Sequence, residues 1–93
     1  MNQPPSQRFT GSILIVEDNL NNLTLLERIL LRSGYKVRLA TSGQLAIESV
    51  ELSQPDLILL DIMMPDMDGY EGCSRLKASE RTRGIPIIFL SAL

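Results

Sequence analysis

The apolar residues of this chain fall in short blocks whose spacing switches between two periods. Ile13, Leu14, Ile15 and Val16 form a continuous apolar run that stops at Glu17-Asp18, the pattern of a short strand buried on both faces. Leu23, Leu26, Ile29 and Leu30 then recur at helical spacing. They predict a helix over 20–33 with those side chains inward, a cap at Asn19 and a left-handed stop at Gly34. Residues 35–40 alternate, Tyr35, Val37 and Leu39 against Lys36, Arg38 and Ala40, and two cations on one face predict an edge strand. Thr41-Ser42-Gly43 opens a second helix reaching about Glu51, with Ala46, Ile47 and Val50 inward. Pro55-Asp56 precedes Leu57-Ile58-Leu59-Leu60, a second fully apolar strand, which ends in Asp61. A loop with Pro65 and Gly69 leads to a third helix over about 70–78. Its apolar positions are sparse (Tyr70, Cys73, Leu76), so most of its surface is expected to face water. After a polar connection over 81–84, Pro86-Ile87-Ile88-Phe89-Leu90 is the last strand and ends at Ser91. The βαβαβαβ order predicts an α/β fold, a parallel sheet with right-handed crossovers and helices on both faces.

Composition narrows what such a sheet can do. With 93 residues, 44% apolar and 22% charged, the chain is one domain near the small end for an independent core. A net charge of −2 argues against a nucleic-acid surface. Apolar runs fall far short of the ~18 residues of a membrane span. Residues 1–12, polar and carrying Pro4-Pro5, read as a flexible tail rather than a signal peptide or an anchor, so the expected setting is cytoplasmic. The chain has no histidine, which removes Ser-His and Cys-His catalysis and His-ligated metals. Its single cysteine, Cys73, forms no internal disulfide and reads as inert packing or a plain surface position.

The candidate chemistry lies at strand ends. Open parallel sheets bind ligands beyond the carboxyl ends of their strands, and here the first and third strands end in Glu17-Asp18 and Asp61. If those strands are neighbours, three carboxylates converge and repel unless a cation joins them or one is protonated. Oxygen ligands without His or Cys suit a hard ion, Mg2+ most naturally. An aspartate beside such an ion has a use as a nucleophile toward a phosphoryl group, forming an acyl phosphate. Ser91 would bring a hydroxyl to the same rim.

These residues resemble the receiver domains of two-component response regulators and hybrid kinases. The resemblance rests on ILIVEDN, DLILLDIMMPDMDGYE and PIIFLSA, in that order, and covers residues 13–93. It implies a flavodoxin-like, doubly wound sheet of strand order 2-1-3-4, and a phosphoacceptor signalling domain rather than an enzyme. Asp61 would accept phosphate from a phosphohistidine, so the implied partner is a sensor histidine kinase or a phosphotransfer protein. Asp18 would ligate Mg2+ directly, Glu17 largely through water, with Asp61 and the Met63 backbone carbonyl completing the protein ligands. Ser91 falls at the switch hydroxyl and Ala92 at the small residue after it. Glu17 stands where many relatives carry Asp.

The chain departs from the pattern at its end. Receivers continue with another helix, a fifth strand bearing a lysine that pairs with the phosphoryl group, and a closing helix. None of these has a matching position here, and Lys36 and Lys77 lie on the wrong elements to replace that lysine. The fourth strand would then be an uncharged apolar edge, and self-association through it is expected. The reading is therefore a shortened receiver, or one completed by another copy or subunit. A phosphorylation-independent interaction module, or an inactive receiver fragment, remains the alternative.

Other readings fit the residues less well. A haloacid-dehalogenase-like phosphohydrolase needs D-x-D at the first strand, where this chain has Glu17-Asp18-Asn19. An EF-hand reading of Asp66-Met67-Asp68-Gly69 puts Met64 at the first ligand position and Arg75 at the twelfth. The cluster of Lys77, Arg81 and Arg83 is interleaved with acid and reads as a solvated loop, not a DNA surface.

Overall fold

The computed structural model describes residues 11–62 and 69–90. Strands and helices alternate along them: β1 (Ser12–Val16), α1 (Leu20–Arg32), β2 (Lys36–Ala40), α2 (Gly43–Leu52), β3 (Leu57–Asp61), α3 (Gly69–Ala78) and β4 (Ile87–Leu90). The strands form one parallel sheet in the order β2-β1-β3-β4, as expected. The two continuous apolar runs, β1 and β3, take the centre, and the cation-bearing strand takes an edge. Strand β1 already begins at Ser12. The remainder of the expected tail, residues 1–10, lies outside the described residues.

Side-chain alternation along β1 and β3 divides the apolar core between the two faces of the sheet. Leu14, Val16, Ile58 and Leu60 point to one face and pack with Ala40, Ala46, Val50, Leu76 and Ile85 from β2, α2, α3 and the approach to β4. Ile13, Ile15 and Leu59 point to the other, where among the described buried residues only Leu23 of α1 meets them. Leu26 and Leu30 complete that contact half-buried, as expected, but Ile29 does not turn inward and is 50% exposed. At about 100° per residue Ile29 lies roughly 60° further round the helix than Leu26, beyond the edge of the buried stripe.

Local signals set the helix ends. The Asn19 side chain accepts from the Asn22 backbone N–H at 3.0 Å and so caps α1. Gly34 follows the C-cap with φ of 95°, the left-handed conformation a side chain would disfavour. Ser42 caps α2 in the same way, through a 3.1 Å bond from Leu45 N–H.

The cations have structural tasks that alternation alone did not reveal. Arg38, on β2, donates to the carbonyls of Ser49 (3.1 Å) and Ser53, satisfying the end of α2, whose own last turn has no basic residue. Lys77 donates to the carbonyls of Arg83 (2.8 Å) and Ile85 (3.0 Å), which fastens α3 to the connection before β4. Arg81 reaches the Glu51 carbonyl at 3.4 Å. That connection is less solvated than its composition suggests, since Thr82 is buried and donates to the Leu76 carbonyl.

The different burial of Leu14 and Ile29 has a measurable consequence. Leu14→Ala, at a fully buried position, should cost about 2–5 kcal/mol. Ile29→Ala should cost less than about 1 kcal/mol, because little surface leaves water there and alanine favours the helix. Urea unfolding of the two variants checks the contrast.

Candidate functional site

The β1–β3 register builds the site. Val16 pairs with Leu60, so the next residues, Glu17 and Asp61, lie side by side at the carboxyl ends of the two central strands. Both follow residues that point to the α2–α3 face, so by alternation both turn toward the α1 side. Glu17 is 3% and Asp61 7% exposed, whereas Asp18 is open to water. A carboxylate oxygen from each of the three lies within 4.8 Å of the others. Glu17, Asp18 and Asp61 therefore converge as the strand pattern predicted. Met63 and Ser91, also expected here, lie outside the described residues.

Glu17 is held from several directions. Its backbone N–H donates to the Ala40 carbonyl at 3.0 Å, which fixes its main chain against β2. The Asn19 backbone N–H donates to one carboxylate oxygen at 3.4 Å, and Asn22 Nδ2 donates to the other at 3.2 Å. Burial raises the Glu17 pKa above its ordinary 4.5, and its hydrogen bond with Asp61 and that group's negative charge push the same way. The bonds from Asn22 and Asn19 oppose this rise. A proton or a cation is the physical remedy for two buried carboxylates in contact.

The donor set fits a hard divalent cation. The described ligand atoms are all carboxylate oxygens, with one residue open to solvent for coordinated water. Both lysines stand away from the pocket. Lys36 begins β2 at the opposite end of the sheet, paired with Ser12, and Lys77 is committed to the carbonyls before β4. Two further contacts carried no sequence signal. Asn22 lies off the periodic apolar positions of α1. Asp56 accepts from Ser12 N–H at 2.7 Å and so ties the starts of β1 and β3 together.

The parallel sheet of order β2-β1-β3-β4, with an acidic pocket at the carboxyl ends of its central strands, has the architecture of the flavodoxin-like signalling domains called receivers. Comparison with known proteins places it within that class. The model of the response regulator receiver domain family matches residues 13–93. The response regulator PleD of Caulobacter vibrioides is 43% identical over 85 residues, which are 91% of this chain and 19% of that protein. The N-terminal domain of a response regulator receiver protein from Methanoculleus marisnigri superposes with a TM-score of 0.86 at 40% identity, covering 89% of this chain and 68% of the other. The receiver domain of a sensor histidine kinase from Pseudomonas aeruginosa gives 0.85 at 40% identity, over 90% of this chain and 69% of that one. That crystal structure has a magnesium ion coordinated in its active-site cleft. This chain belongs to the response regulator receiver family.

The raised Glu17 pKa gives stability a definite pH dependence when divalent ions are chelated. A carboxyl whose pKa is higher folded than unfolded binds more protons in the folded state, so its contribution is complete below about 4.5 and is lost as pH rises through the folded value. Urea midpoints in EDTA should therefore fall over that interval in the wild type. The Glu17→Gln variant should show a shallower fall.

Proposed function

We propose that Asp61 accepts a phosphoryl group from the phosphohistidine of a sensor histidine kinase or phosphotransfer protein, with Mg2+ held in the same pocket. The observation that carries this reading is the convergence of Glu17, Asp18 and Asp61 at the ends of β1 and β3. An Asp61 carboxylate oxygen attacks phosphorus; the new P–O bond forms as the P–N bond to the donor imidazole breaks. The departing nitrogen keeps the electron pair and takes up a proton from solvent. Asp18 is assigned as a direct ligand and Glu17 as one acting largely through water, with Asp61 and the Met63 carbonyl completing the protein's share. When bound, the ion offsets the charge that builds on the phosphoryl oxygens.

Ser91 is assigned as the switch hydroxyl, drawn toward the roughly −1.5 to −2 charges that phosphorylation adds. Residues 13–93 form a partial receiver, in a cytoplasmic protein. Among the described residues no helix is long and apolar enough to cross a membrane.

Incubation with acetyl phosphate and Mg2+, read by intact mass, tests the acceptor assignment. A gain of one phosphate in the wild type and none in Asp61→Asn is expected. No gain in either favours a phosphorylation-independent interaction module.

Self-association through β4 is a further part of the proposal. This strand has no charged residue and leaves Ile88 52% and Phe89 40% exposed, whereas the β2 edge carries Lys36 and Arg38. Light scattering should show a mass that rises with concentration, and Ile88→Lys should lower it. A monomer of constant mass would count against the β4 contact.

A further inference from the structure

We infer that Asn22 is a positioning residue for the acidic pocket, acting by holding the Glu17 carboxylate in place beside Asp18 and Asp61. The inference rests on the proposed metal-dependent reading and assigns that site one more residue. Asn22 is half-buried in the first turn of α1, and its Nδ2 lies 3.2 Å from Glu17 Oε1. A carboxylate only accepts hydrogen bonds, so the amide must face it with nitrogen.

The start of the helix is arranged around this contact. In a common arrangement, a long Glu or Gln three residues after the cap reaches back to the cap's own N–H. Here that position is Asn22, and Glu17, two residues before the cap, takes the Asn19 N–H instead. The Asn22 backbone N–H is meanwhile bound by the Asn19 side chain at 3.0 Å, which fixes the residue whose amide meets Glu17. The first turn of α1 contains no acid of its own, so the Glu17 carboxylate supplies the negative charge that a helix start favours.

Glutamate at this position explains why such a clamp is needed. Its extra methylene gives the carboxylate another rotatable bond, and ordering that bond costs free energy each time a ligand is held. Two donors, one on each oxygen, remove the freedom in advance. The other lone pairs stay available to the pocket. The 3.2 Å separation is at the long end for a hydrogen bond. A carboxylate shortened by one methylene would therefore fall out of reach of Asn22.

A double-mutant cycle read by calorimetric Mg2+ titration tests this. Partners that orient metal ligands typically change affinity by about 10–100-fold; since Glu17 is assigned a water-mediated role, Asn22→Leu should weaken binding by about 10-fold, the lower end of that range. In a Glu17→Asp background the same replacement should change affinity by less than about 2-fold, because the contact no longer exists. Phosphate uptake from acetyl phosphate by Asn22→Leu should recover at saturating Mg2+, as expected of a residue that affects binding rather than the transfer step. Equal losses in both backgrounds, or no loss in either, would overturn the role of Asn22 while leaving the metal reading intact. Failure of the wild type to bind Mg2+ would overturn both. Circular dichroism of each variant separates these results from loss of the fold.

Discussion

The pairing of β1 with β3 fixes both the core and the chemistry. Because side chains alternate along a strand, a shift of β3 by one residue would turn Ile58 and Leu60 out of their cluster and send Asp61 to the opposite face from Glu17. Leu14, Ile15, Val16, Ile58 and Leu60 are all essentially buried, each worth about 1.5–3 kcal/mol relative to exposure. Their burial holds the two strand ends, and with them the two carboxylates, side by side. The repulsion can therefore persist in the folded protein as a standing preference for a cation or a proton.

The rest of the molecule supports this arrangement through polar contacts made at element ends. Arg38 ties edge strand β2 to the end of α2, Lys77 ties α3 to the entry of β4, and Asp56 ties the starts of the two central strands. In each case a charged side chain satisfies backbone groups that helix or strand geometry leaves open. These three charges thus serve to close the fold. Among the described residues, the cluster at the carboxyl ends of β1 and β3 is where three charges of one sign converge.

Strands and capped helices were legible because their signals are local: the apolar runs of β1 and β3, Asn19 and Ser42 at the helix starts, and Gly34 at a helix stop. The acid convergence was legible for a related reason, since each acid follows directly on an apolar run and strand order does the rest. Ile29 was misread because spacing places it near the buried stripe without showing where the stripe ends. The task of Arg38 was hidden because alternation reports a side, not what lies over it. Asn22 was hidden more completely. Its partner is five residues away across a strand-to-helix corner, and that distance has no periodic signature.

The thin cover on the α1 side of the sheet also shapes how the molecule moves. Leu23 is the one side chain of α1 buried against β1 and β3 among the described residues, with Leu26 and Leu30 half-buried beside it, so α1 can separate from the sheet while exposing a limited apolar surface. Amide hydrogens in α1 would then exchange with solvent through a partial opening, below the cost of global unfolding. Since the first turn of α1 also grips Glu17, any ion that settles in the pocket draws on that helix being docked, and by linkage slows its opening. Exchange in α1 would thereby report on occupancy of the acidic pocket.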